Sequence, residues 1–145
     1  MDRGLAVILT AACGGLIALQ APINAGLSKA TESLPAALIS FAVGTLLLLG
    51  LVLVGGKIGD VGHVGDVRWY YLLGGALGAA YVFTVLVTVK TLGAGSVAAA
   101  TITGQLTASV LIDQLGAFGL DKQPLTSARI VGIALLLSGT YLIVR

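Results

Sequence analysis

The sequence predicts an all-α integral membrane protein of five transmembrane helices, and three observations carry that prediction. Charged residues make up only 10% of the 145-residue chain, against 57% hydrophobic residues and a mean hydropathy of +1.06; soluble domains carry roughly 25% charge. Apolar runs of the roughly 20 residues needed to cross a hydrocarbon layer recur five times, near residues 4–28, 34–54, 69–89, 94–113 and 126–144. The connections between them, "KATES", residues 55–68, "KTLG" and "QLGAFGLDKQPLTS", each hold glycine, proline or charge, the expected interruptions. The longest break between apolar runs, the polar and glycine-rich 55–68, leaves no room for a soluble domain. Residues 1–145 therefore read as a single transmembrane domain.

The first span ends in "LQAPINAGLSK", residues 19–29, where Gln20 and Asn24 flank Pro22. About 25 residues at 1.5 Å each give roughly 37 Å, more than a hydrocarbon core of about 30 Å, so this helix is expected to tilt or bend. Pro22 removes one amide donor and frees a carbonyl one turn earlier. In lipid that carbonyl needs a neighbouring helix or water. Two readings of the carboxamides stay open: they lie among headgroups where the run ends, or they line a polar pathway. The second span, interrupted only by Ser40, Gly44 and Thr45, reads as packing or lipid-facing. The third opens on Trp69, Tyr70 and Tyr71, residues that favour the membrane interface, as does Tyr141 near the end of the fifth span. It then sets Gly74, Gly78 and Tyr81 on one approximate face, where glycines invite close crossing. Tyr81 falls near the midplane and either stacks on a ligand or bonds Gln20 or Gln105.

The fourth span, "AGSVAAATITGQLTASVLID", is the least lipid-like. Thr101, Gln105, Ser109 and Asp113 recur every fourth residue and so stack along one helical face. Ala, Gly and Thr dominate the rest, with Gly104 and Ala108 as a small-xxx-small pair, which suits a packed interior. Thr101 and Ser109 read best as bonds to neighbouring helices. Gln105, mid-span with up to four hydrogen-bond sites, reads as facing a substrate. Asp113 is the one acidic residue within or touching a span, and intramembrane carboxylates are functional candidates by default. Arg129, near the start of the fifth span, is its plausible ion-pair partner, which leaves a structural salt bridge and a coupling role both open.

Composition and motif content exclude several function classes. Arg3, an apolar core and "INA" before Gly26 weakly suggest a cleaved signal peptide, but the run exceeds the roughly 7–15 residues of a signal core. It is taken as a mature helix. The single cysteine, Cys13, allows no internal disulfide, and a net charge of +2 spread over loops makes no nucleic-acid stripe. His63 stands alone in its loop, so neither a metal site nor a cofactor is expected. No serine–histidine–acid set, carboxylate pair or phosphate-binding glycine loop is present, which argues against an enzyme.

Five spans place the termini on opposite sides. The N-terminal side then carries five basic residues, Arg3, Lys57, Arg68, Lys122 and Arg129, and the other side three, Lys29, Lys90 and Arg145. So small a bias permits insertion both ways, hence an antiparallel homodimer, as well as a single orientation.

Five segments together resemble the YdcZ-type family of the drug/metabolite transporter superfamily: "LQAPINAGLSKA", "ALISFAVGTLLL", "WYYLLGGALGAAYV", "LGAGSVAAATITGQL" and "LIDQLGAFG". They run in order across nearly the whole chain. The resemblance implies a five-helix half-transporter of a bacterial inner membrane, working as an antiparallel dimer with itself or with a homologue of opposite topology. By motif position Gln20, Asn24, Gln105 and Asp113 are this chain's members of the family pattern. The more distant small multidrug resistance transporters carry a membrane-central glutamate in their first helix, and the first span here has no carboxylate. Proton-coupled export of cationic drugs is accordingly not implied, and Asp113 is the evident acidic carrier if protons couple.

The expectation is a secondary transporter of a small polar or charged solute. Gln20, Asn24, Tyr81 and Gln105 would bind the solute, with Asp113, Thr101 and Ser109 as coupling or lining residues. A dual-topology ion channel and a non-transporting accessory subunit are the rival readings.

Overall fold

The computed structural model describes residues 2–145, and among these it is helical with no strand. Five α-helices follow in order: α1 (Arg3–Thr31), α2 (Ser33–Val54), α3 (Leu73–Leu92), α4 (Ala94–Leu115) and α5 (Ser127–Val144). All five are long and apolar enough to cross a membrane, α3 together with the turn Trp69–Leu72 before it. Five helices long and apolar enough to span were expected, and five are found, with ends within a few residues of the apolar runs.

Capping explains where several helices begin and end. The Asp2 carboxylate accepts from the backbone N–H groups of Gly4 at 2.9 Å and Leu5 at 3.3 Å, which satisfies two of the orphan donors that open α1. α1 runs unbroken through Pro22 to Thr31. A single residue, Glu32, separates it from α2, and it takes φ 68° and ψ 173°. Gly93, the single residue between α3 and α4, takes almost the same conformation at φ 80° and ψ 161°. Glycine adopts that region freely, whereas a side chain there is strained. The two tightest helix links therefore share one backbone solution, and only one of them uses the residue suited to it. Thr126 caps α5 through an Arg129 N–H donation at 3.3 Å.

The helices group into two compact units, one through Lys90 and one from Thr91 to Arg145. In the first, Ala36 and Ala37 of α2 are buried against Val82 and Leu86 of α3, with Leu27 of α1 and Tyr81 packed on that cluster. A Cβ at Gly78 would meet the Phe41 ring at 3.4 Å, so the expected close glycine approach is made at this position. At Gly74 a Cβ would meet nothing within 4 Å. Lys90 donates from Nζ to Ser33 Oγ at 2.9 Å, tying the end of α3 to the start of α2.

The second unit is an α4–α5 hairpin. Gly116, left-handed at φ 63° and ψ 35°, ends α4, and a Cβ there would press on the Lys122 side chain and the Leu120 carbonyl. The Asp113 carbonyl accepts from Gln123 N at 2.9 Å, and Gln114 Oε1 from Leu125 N at 2.6 Å, so the connection folds back onto the helix end.

The connection of residues 55–68 is not a plain loop. Ile58–Asp66 form a nine-residue 3₁₀ helix, followed by a second short 3₁₀ turn at Trp69–Leu72. Runs longer than three or four residues are uncommon for that geometry. The sequence shows why it persists: Ile58-Gly59-Asp60, Val61-Gly62-His63 and Val64-Gly65-Asp66 repeat every three residues, and Val67 begins a fourth triplet. A 3₁₀ helix turns once per three residues, so each residue class stacks along its own edge.

Candidate functional site

Gln20 and Asn24 open onto a cleft between α1 and α2 of roughly 450 Å³. Its other walls are apolar, from Leu16, Leu19, Ile23, Leu27, Ile39 and Val43, with Ser40 the remaining polar contributor. Helical spacing sets Gln20, Asn24 and Ser28 one above another on α1. Gln20 is exposed, while Asn24 and Ser28 are buried at 6% and 4%. Ser28 satisfies itself by donating to the Ala25 carbonyl at 2.9 Å. Among the described residues no hydrogen bond reaches either carboxamide, and no buried side-chain nitrogen or oxygen is left unpartnered. The Asn24 amide therefore keeps its access through the cleft.

The position of the two amides along α1 bears on how they would meet a membrane. Gln20 lies eleven residues before the end of α1 at Thr31, about 17 Å at 1.5 Å per residue. A hydrocarbon layer of about 30 Å, if centred on α1, would hold both amides inside it. An unpaired amide at that depth is costly to solvate in lipid, and the cleft is the route by which a polar partner would reach it.

Tyr81 is half-buried against the Ala36–Leu86 cluster and does not line this cleft. Gln20, Asn24 and Tyr81 belong to the first unit, Thr101, Gln105, Ser109 and Asp113 to the second.

Within the second unit the helices meet along a face that a four-residue ladder does not describe. Ser96 Oγ donates to the Ile143 carbonyl at 3.4 Å. Thr140 Oγ1 donates to the Ala99 carbonyl at 3.2 Å, and the Thr103 and Thr140 hydroxyls are hydrogen-bonded to each other. Leu106, Ser109, Val110 and Asp113 line a smaller cleft of roughly 240 Å³ with Arg129, Gly132 and Ile133. Apart from Ser109, the α4 residues at this face fall at 96, 99, 103, 106, 110 and 113, alternating steps of three and four as in a coiled-coil seam. Steps of four advance about 40° each on a helix of 3.6 residues per turn, so a ladder from Thr101 to Asp113 winds about 120° round α4. Gln105 is exposed, Thr101 half-buried, and a Cβ at Gly104 would meet nothing within 4 Å. Thr103 and Thr140, the hydroxyls that join the helices, were not among the residues singled out from the sequence; the three-four spacing from Ser96 to Asp113 is the signal that marks Thr103.

The anticipated ion pair is present: Arg129 Nη1 lies 3.3 Å from Asp113 Oδ2, each side chain about one-third exposed. Together with the Gln123 and Leu125 backbone bonds it fastens one end of the hairpin. Among the described residues no cluster of three His, Cys, Asp or Glu side chains could hold a metal ion.

Comparison with known proteins decides the family. The model of the family described as "Putative inner membrane exporter, YdcZ" matches residues 5–142. The chain belongs to this family. It is also 25% identical over 147 residues to the inner membrane protein YdcZ of Escherichia coli (strain K12), covering 100% of this chain and 98% of that relative. No solved structure matches it. Membership supports a membrane transporter rather than an enzyme, in keeping with the five spans.

Proposed function

We propose that the chain is half of an inner-membrane secondary transporter that moves a small polar solute by alternating access as an antiparallel dimer. The observation that carries this reading is the pair of α1 carboxamides, Gln20 and Asn24, open to a cleft with no hydrogen-bond partner among the described residues. Carboxamides both donate and accept without charge, which suits reversible binding of a polar solute that must also leave. The same two residues from an inverted second copy would complete a symmetric site, as in transporters built on inverted repeats. Tyr81 and Gln105 are proposed as further solute contacts.

Support for the antiparallel arrangement comes from the odd number of spans and the five-to-three division of Lys and Arg. A single-copy bundle with strong positive-inside bias would argue the other way. The test is the sidedness of Arg145 in cells, read with fusions to reporters active on opposite sides of the membrane. Comparable activity from both reporters is the expected result. Activity from one alone overturns the homodimer and with it the symmetric site.

A further inference from the structure

The Ile58–Asp66 helix presents an apolar edge that nothing within its unit covers. Ile58, Val61 and Val64 are each about half exposed, as is Val67 directly after the helix. The triplet repeat aligns these residues because a 3₁₀ helix repeats every three. In an α-helix the same residues would drift by about 60° per triplet and end on opposite faces. Asp60, His63 and Asp66 follow a second edge, and glycines a third. The segment is thus amphipathic only in the geometry it adopts.

Its position on the chain names the partner. Three residues separate Ile58 from the end of α2 at Val54, and two separate Asp66 from the span that opens at Trp69. At no more than about 3.6 Å per residue, neither end can depart far from the membrane surface. Lys57 and Arg68 stand at its two ends, the depth at which cations meet lipid headgroups. Trp69 and Tyr70 pack edge to face with ring centroids 6.3 Å apart, and Tyr70 and Tyr71 lie 4.6 Å apart, forming an aromatic group at the interface. From Lys57 to Arg68 two cations balance two carboxylates, so with His63 neutral the segment carries no net charge.

We propose that residues 58–67 form an interfacial helix that inserts Ile58, Val61, Val64 and Val67 among the acyl chains of a zwitterionic bilayer leaflet and turns Asp60, His63 and Asp66 to water. Apolar burial drives this contact, unlike the basic amphipathic helices that need anionic lipid. It makes the link between two spans a surface-bound strap, and it holds whatever solute the protein carries.

The experiment is a nitroxide scan of single cysteines at positions 58–67 of the full chain, in a Cys13→Ala background, in phosphatidylcholine nanodiscs. Expected is a three-residue period, with collisions with oxygen peaking at 58, 61, 64 and 67 and collisions with a water-soluble nickel chelate peaking at 60, 63 and 66. Exchanging one residue pair, Val61→Gly with Gly62→Val, keeps composition and breaks the edge. It is expected to lower the oxygen accessibility of a label at position 58 severalfold. Nickel access at every position overturns the proposal, leaving an ordinary loop. Shielding of the valine edge from both reagents also overturns it, because protein and not lipid then covers that edge. A period that emerges only when phosphatidylglycerol is added overturns the charge-independent contact.

Discussion

The two units of the chain treat their polar groups in opposite ways. In the α4–α5 hairpin, Ser96, Thr103, Thr140 and the Asp113–Arg129 pair all bond across the helix interface. In the first unit the contacts between helices are largely apolar, from Ala36, Ala37, Val82 and Leu86, and the Gln20 and Asn24 amides are left facing a cleft. Polar groups within a membrane are expensive unless satisfied. The Lys90–Ser33 bond in the first unit and the exposed Gln105 in the second are the exceptions to this contrast. That contrast is why the proposed site rests on α1, with the hydroxyls of α4 treated as helix-to-helix bonds.

The largest effect is expected at the open amides. The double variant Gln20→Leu, Asn24→Leu removes two hydrogen-bonding groups worth about 0.5–1.5 kcal/mol each, which together change apparent affinity by about 5-fold to 150-fold. A thermal-shift screen of small polar solutes on the purified chain provides the readout. Solutes that raise the midpoint of the parent chain should fail on the variant, whose own midpoint is unchanged or higher. A variant that unfolds earlier and still binds would reverse the assignment of roles between the units.

Next come the single-residue helix links. Gly93→Ala places a side chain at φ 80° and should cost about 1–3 kcal/mol of stability. Glu32→Gly at φ 68° relieves the same strain and is expected to be neutral or stabilising, since the flexibility that glycine adds to the unfolded chain offsets part of the gain. Equal and opposite shifts in unfolding midpoint would show the two links to be equivalent. A loss from Glu32→Gly would instead reveal that the carboxylate itself matters.

Smaller still is Thr103→Val, which removes the hydroxyl-to-hydroxyl bond at the hairpin seam and leaves Thr140 its donation to the Ala99 carbonyl. Intramembrane hydrogen bonds average about 0.6 kcal/mol and reach about 1.7, so a modest drop in midpoint is expected. Adding Thr140→Val should lower it further, because the bond from Thr140 to the Ala99 carbonyl is then lost as well. Ligand response should survive both changes.

The smallest effect is assigned to the ion pair. With both partners about one-third exposed, Asp113→Asn and Arg129→Gln should each cost less than about 1 kcal/mol and combine less than additively. Solute uptake by Asp113→Asn proteoliposomes should keep the pH dependence of the parent. A flattened pH profile would move Asp113 from fastening the hairpin to coupling protons.

Much of this was legible in the residues. The charge deficit and five apolar runs located every helix long and apolar enough to span, because lipid offers the backbone no hydrogen bonds and only long internally bonded helices can cross it. Gln20, Asn24 and the Asp113–Arg129 pair stood out for the same reason: polar groups are conspicuous against an apolar run. The seam of α4 was not legible in the same way. Lipid chains are as apolar as a membrane protein's interior, so no gradient of polarity marks the face that packs. Thr101 and Gln105 looked as eligible as Thr103, and only the docking of α5 set Thr103 against Thr140. The connection of 55–68 shows the reverse dependence. Its triplet was present in the sequence, but a period of three has no apolar face until the backbone winds at three residues per turn. The sequence by itself determined the solvent, the number of spans and the residues too polar to ignore. The tertiary structure decided which of those residues pair, because pairing depends on helix faces that composition does not distinguish.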